Sequence, residues 1–283
     1  PQPEPVMDVS QCSRAVFSDV LKPSRNLILT EISEKYTGPK IVYAKDRFAH
    51  PQSVVKIVAP NDSVFEATIN TYGEQILDYF IRTERERQQR YNEDYLNDKA
   101  IAEVEKMFGI KIDIPLGITR TTKKQDFYWI NNGQPNVRLD LVIYSYPYTD
   151  KNTFTKDFLI AKRDSVFKKN IPGELPGSYP GTETKYMDPI FREIWVNNGY
   201  CAELRGLWKM YNGASMGGPF YSHTRLDEIN QRVITVDGFV FAPGTKKRNH
   251  IRQLEAIIYS MKLPQEINAL NEVSVVASKE DKK

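Results

Sequence analysis

Ser222, His223 and Asp227 lie in one short stretch of this chain and carry the residue types of an acyl-transfer hydrolase. In that chemistry a histidine takes the serine proton while a carboxylate orients the imidazole. The stretch reads as a strand, however, and strand neighbours point to opposite faces, so Ser222 cannot readily present its hydroxyl to His223. No G-x-S-x-G turn is present either. The enzyme that the sequence allows draws instead on Glu203, Arg205, His223 and Asp227. It requires those four to converge in one cleft with a perturbed carboxylate. His50, His223 and His250 are scattered without H-x-x-x-H spacing, so no metal site is expected. No catalytic residue and no cofactor is assigned.

The segment from Arg205 to Phe220 is the most unusual in the chain, with Trp208, Tyr211 and Met216 leading into Gly217-Gly218-Pro219-Phe220. Paired glycines permit backbone shapes closed to other residues. One reading is a loop whose amides approach a ligand; the other is a strained turn or bulge between two strands. The spacing is not that of a phosphate-cradling loop, since no Gly-Lys-Ser/Thr follows. Lys246-Lys247-Arg248 opens the last expected helix, where cations oppose the macrodipole at about 0.3–1 kcal/mol each. Either they are ordinary solvated cations or a carboxylate or bound anion compensates them. The candidate binding set is Arg205, Trp208, Tyr211, Met216, Gly217, Gly218, Phe220, Lys247 and Arg248, suited to an anionic or glycan-like ligand.

These residues need a scaffold, and composition bounds it. The 283 residues are 40% apolar and 27% charged, which suits one large or two modest globular domains. Basic and acidic residues number 39 and 36 and are interleaved, as in Arg82-Thr83-Glu84-Arg85-Glu86-Arg87, which argues against nucleic acid as a partner. Sixteen tyrosines suit an antiparallel sheet with one partly solvated face. Cys12 and Cys201 either form one bridge or remain thiols, and they cannot build a disulfide framework. No apolar run approaches the roughly 20 residues of a membrane helix. No signal peptide is present, and the opening Pro1-Gln2-Pro3-Glu4-Pro5 reads as a processed terminus.

The patterns predict an α+β protein, mainly antiparallel sheet. Strands are expected near 26–32, 40–44 and 54–59. A long helix or helix pair follows near 63–108, with Asn61-Asp62-Ser63 offering caps, the Ser63/Glu66 spacing of a capping box and Gly109 as its terminator. Ile110, Ile112 and Ile114 alternate as a strand. Trp129-Ile130-Asn131-Asn132-Gly133 and Trp195-Val196-Asn197-Asn198-Gly199 each read as a hairpin tip. An old duplication and two independently chosen turns explain that echo equally. Further helices are expected near 152–168 and 246–262. Three regions are expected: 1–108, 109–264, and a frayed polar tail at 265–283. Trp129 and Trp208 should be buried.

Arg25-Asn26, Ala49-His50-Pro51-Gln52, Arg205-Gly206-Leu207-Trp208, Met216-Gly217-Gly218-Pro219-Phe220 and Lys247-Arg248 with Gln253-Leu254-Glu255-Ala256 carry a resemblance. Over roughly residues 20–262 the chain resembles an uncharacterised domain-of-unknown-function family of Gram-negative gut bacteria, whose members look like cell-envelope lipoproteins. The resemblance implies an extracytoplasmic location and a lipid anchor on a cysteine upstream of Pro1; neither Cys12 nor Cys201 can be that residue. It brings no activity. The function expected is a non-enzymatic envelope protein that binds a glycan or another envelope protein through an aromatic-rich sheet face. The alternative is an enzyme acting on envelope or dietary polymers through the four residues named above, and a third reading has the charged helix packing against a second copy.

Overall fold

A computed structural model describes residues 4–270. The chain divides into two compact units, residues 5–88 and residues 89–283 with 1–4.

The smaller unit is a three-stranded sheet of β1 (Asn26–Ile32), β2 (Lys40–Lys45) and β3 (Ser53–Ala59), in the order β1-β3-β2. The central β3 runs parallel to β1 and antiparallel to β2. Its Val55 and Ile57 pack against Ile76 and Phe80 of α1 (Asp62–Glu93). The cap of α1 is Asn61, whose side chain accepts from the Val64 amide at 3.0 Å. Of the caps offered by Asn61-Asp62-Ser63, the first is the one used and the Ser63 box is not: Pro60 follows β3 and leaves Asn61 at the position just before the helix.

The expected pair of helices is observed. α1 is followed by α2 (Asp98–Phe108), which is capped by Asn97 and stopped by Gly109 at φ 62°. That left-handed conformation suits glycine and closes the helix. The strand expected at Ile110–Ile114 is absent. Those three isoleucines are buried, but the segment touches its neighbours only through isolated bridges at Lys111 and Pro115. Burial reproduced the alternation of a strand without its ladder.

The larger unit is one eight-stranded antiparallel sheet. Its strands are β4 (Arg120–Lys124), β5 (Phe127–Asn131), β6 (Arg138–Pro147), β7 (Tyr179–Glu183), β8 (Ile190–Val196), β9 (Gly199–Tyr211), β10 (Gly217–Asp227) and β11 (Arg232–Phe241). The order is β4-β5-β6-β11-β10-β9-β7, and β8 pairs with the first half of the same β9 edge whose second half β7 takes. Two further helices pack on it, α3 (Lys156–Asn170) and α4 (Arg248–Tyr259). Leu141, Ile143, Ile234, Val236 and Val240 form one core with Leu254 and Ile258 of α4. The alternate residues Val142, Tyr144, Trp208 and Phe239 form a second with Leu159 and Phe167 of α3. The middle strands are thus covered on both faces rather than on one, which is why Leu141 to Tyr144 reads as a continuous apolar run.

The two Asn-Asn-Gly strings fold differently. Asn197 and Asn198, at φ 51° and 63°, form a two-residue turn between β8 and β9. Asn131 instead ends β5, and residues 132–137 loop round to β6. The echo is one of composition. Both cysteines are unpaired. The helix expected near 246–262 is shorter, since α4 stops at Tyr259, and residues 264–270 form another helical stretch with Pro264 at its first position. The tail expected to fray lies, from 271 on, outside the described residues. No described helix is long and apolar enough to cross a membrane.

Candidate functional site

Strand alternation puts Glu203 and Arg205 of β9 on one face, with Tyr221 and His223 directly opposite on β10. On α4, Glu255 and Tyr259 are one turn apart and lie over the same patch. Six polar side chains from three elements therefore meet beneath a helix.

Glu203 is the hub. Its carboxylate accepts from Arg205 at 2.9 and 3.2 Å, from the Tyr221 hydroxyl, and from the Tyr259 hydroxyl at 3.5 Å. Arg205 also reaches Glu255 at 3.3 Å and lies over the Tyr221 ring, 4.2 Å from its centroid. His223 Nε2 is 2.6 Å from the Tyr221 oxygen. Tyr221 gives its proton to the carboxylate, so His223 must donate from Nε2 and carry a bare lone pair on Nδ1. That Nδ1 is buried without a hydrogen-bond partner among the described residues.

Burial works to raise the Glu203 pKa, but the bonds from His223, Arg205 and Tyr221 outweigh it and hold the carboxyl well below its usual range. Burial pushes the Tyr221 hydroxyl up and the His223 imidazole down, the latter against the pull of Glu203. At neutral pH the group is a carboxylate, a phenol, a neutral imidazole and a guanidinium, with Arg205 its partly exposed member. Its donors and acceptors are largely spent on one another. Among the described residues no group of three or more His, Cys, Asp or Glu could hold a metal ion.

Of the four residues weighed for catalysis, three converge. Asp227 stands apart at the β10–β11 turn, where it accepts from Arg232 at 3.0 Å and from Asn230. Tyr221, Glu255 and Tyr259 were missed because their roles arise from cross-strand register and from α4. The spacing of Tyr221 and His223 on a strand, and of Glu255 and Tyr259 on a helix, was the available signal.

The candidate binding set is dispersed. Gly217, Gly218 and Phe220 belong to β10 rather than to a loop; the connecting turn lies at residues 212–216. Gly218 sits opposite Trp208, and a Cβ on it would stand 2.0 Å from the Val240 carbonyl oxygen, which accepts from the Trp208 indole at 2.9 Å. The glycine is needed for this close approach. Trp208 is 1% exposed, and Phe220 packs under the Arg163 guanidinium. Tyr211 stacks on Tyr179 and donates to the Thr182 carbonyl. Met216 packs against the α3-side core. Lys247 and Arg248 stand at the start of α4, where both amides bond to the Glu4 carboxylate. Of the readings open for these cations, a compensating carboxylate is the one observed, and it is a residue of this chain.

The exposed aromatic surface is elsewhere. Trp195, at the β8 end of the Asn197-Asn198 turn, is 75% exposed and lies opposite Tyr200. Tyr200 donates to Glu193 at 2.9 Å and meets the Phe154 ring edge-on. At and before the other end of β8, Ile190, Tyr186 and Met187 are also exposed. The opposite sheet edge, β4, carries Arg120, Lys123 and Lys124, which discourage strand addition; β8 has no lysine.

No curated protein matches the chain. A family described as Domain of unknown function (DUF8532) matches residues 1–93. Residues 97–260, more than half of the chain and most of the larger unit, match a second family. By that match the chain belongs to the family described as Domain of unknown function (DUF4837).

Proposed function

We propose that this is a non-enzymatic, lipid-anchored protein of the cell envelope that binds a glycan through the aromatic end of the β8–β9 hairpin. The observation that carries the reading is the 75% exposure of Trp195 beside Tyr200 and Glu193. A large ring held in water on an ordered strand is an unusual use of apolar surface and a ready platform for a sugar face. Glu193 lies on the same strand face two residues before Trp195, and Asn197 and Asn198 follow it in the turn. The envelope location and the anchor rest on the family resemblance carried by the sequence.

Titration with soluble peptidoglycan fragments, followed by tryptophan fluorescence, tests the reading. Saturable quenching that disappears in Trp195→Ala supports it. Binding unchanged in that variant places the contact elsewhere, and absence of binding turns attention to a protein partner.

A second reading is an enzyme acting on envelope polymers, favoured by the convergence of Glu203, Arg205 and His223. It requires turnover of such a polymer that is lost in His223→Gln while the fold persists.

A further inference from the structure

Among the described residues, three strands of the larger sheet have an open edge: β4 at one end, and β7 and β8 along one side of β9. Two of these edges are defended. β4 carries Arg120, Lys123 and Lys124, and β7 contains Pro180, which has no amide to donate. β8 has neither lysine nor proline, and no residue from Ile190 to Val196 has a positive φ that would kink it away. Ile190, Arg192, Glu193 and Trp195 are exposed along it. The turn sets which main-chain groups face outward. With two residues, Asn197 and Asn198, it makes Val196 and Gly199 a hydrogen-bonded pair, and such pairs alternate along an antiparallel ladder. Ile190, Arg192 and Ile194 therefore bond inward to β9, whereas Phe191, Glu193 and Trp195 direct their amides and carbonyls outward. Glu193 shares a face with Trp195, and Arg192 shares the other with Ile194.

We propose that the outer edge of β8 is a strand-addition site whose occupant is an extended segment of another polypeptide, with a lysine or arginine opposite Glu193 and an acid opposite Arg192. Main-chain bonds at Phe191, Glu193 and Trp195 supply the affinity, and the two charge pairs set the register. Apolar residues opposite Phe191 and Trp195 complete the segment on the face of its basic residue. Charge also disfavours a second copy of this chain: antiparallel pairing of β8 with itself over its full length sets Glu193 against Glu193. The site is main-chain edge rather than ring face, so it does not rest on a glycan ligand.

The test titrates labelled synthetic peptides carrying Val-Val-Lys-Glu-Val or Val-Val-Glu-Glu-Val against the full chain and Glu193→Lys, read by fluorescence anisotropy. The parent should bind the lysine peptide saturably and the other about fivefold more weakly, and Glu193→Lys should reverse that order. Methylating the main-chain nitrogen of the peptide lysine removes an edge bond and should abolish saturable binding, which charge attraction alone would survive. Should Glu193→Lys fold poorly, the three peptides still decide on the parent. Absence of binding, equal affinity for the two charge forms in the parent, or indifference to methylation overturns the proposal. Dimerisation of the parent that strengthens in Glu193→Gln, measured by sedimentation, assigns the edge to a second copy and also overturns it.

Discussion

His223 and Glu203 lie directly opposite each other in the register of β10 and β9, 3.7 Å apart, with the Tyr221 hydroxyl bridging them. The bridge fixes which imidazole nitrogen carries the proton, and burial keeps the ring neutral. A proton added at Nδ1 would be a buried donor without an acceptor among the described residues.

Acid should therefore weaken the fold in a defined window. The His223 pKa in the fold lies below its ordinary 6.5, so the unfolded chain binds that proton first. Stability from this group is complete above about pH 6.5 and is lost as pH falls, at up to about 1.4 kcal/mol per pH unit. Glu203, shifted down from 4.5, loses its contribution only at lower pH. Urea unfolding from pH 7.5 to 5.5 should show the decline in the parent and a flatter profile in His223→Gln. Identical profiles would remove His223 as the cause.

On the other face of the sheet, Arg163 of α3 bonds Asp237 of β11 at 2.8 and 3.2 Å, with both side chains fully buried. The guanidinium lies 4.3 Å from the Phe167 ring centroid and 4.0 Å from that of Phe220. Arg163→Ala leaves a buried carboxyl unpaired and should cost about 3–5 kcal/mol. Replacing both partners by apolar residues of similar volume should recover much of that loss, since desolvation of the pair disappears with it. Chemical denaturation of the single and double variants decides.

Trp208 and Trp195 offer a matched pair. Trp208→Ala should cost about 3–5 kcal/mol, because it empties the core and removes the bond to Val240. Trp195→Ala should stay within about 0.5 kcal/mol of the parent, as its ring faces water. A large loss from Trp195→Ala would identify that ring as structural.

Gly218→Ala should be among the most disruptive single substitutions, because the added carbon meets backbone rather than a movable side-chain end. Restoring the space requires β10 to draw away from β11. The expected result is loss of soluble folded protein, measured by expression yield and circular dichroism. A stable Gly218→Ala would mean the strands can shift without penalty.

What the sequence disclosed follows from where local chemistry suffices. Gly109 ends α2 through its own conformational freedom, and β1, β2 and β3 were legible from apolar runs bounded by turns. β4, Arg-Thr-Thr-Lys-Lys, escaped because an exposed edge strand leaves no apolar alternation. β7 escaped because Pro180 and Gly181 lie within it. The need for an acid near Lys247 was visible, but Glu4 was not, since nothing local joins residues so remote. Gly217-Gly218 stood out as unusual; that the cause was the Trp208–Val240 contact depended on the order of β9, β10 and β11. Trp195 was read as part of a hairpin without its exposure, which depends on β8 being an edge.

The two faces of β10 hold unlike contents, and this bears on how the strand finds its place. His223 and Tyr221 look toward α4, whereas Phe220 and Ser222 look toward α3, where Asp237 pairs with Arg163. A slip of β10 by one residue would carry imidazole and phenol into the α3 core and bring Phe220 against Glu203 and Glu255. On β11 the same slip would turn Asp237 away from Arg163. Each misalignment strands charge in apolar surroundings, so the two networks act as independent checks on a single alignment. Strands of nearly uniform apolar content would otherwise have several pairings of similar energy to choose among.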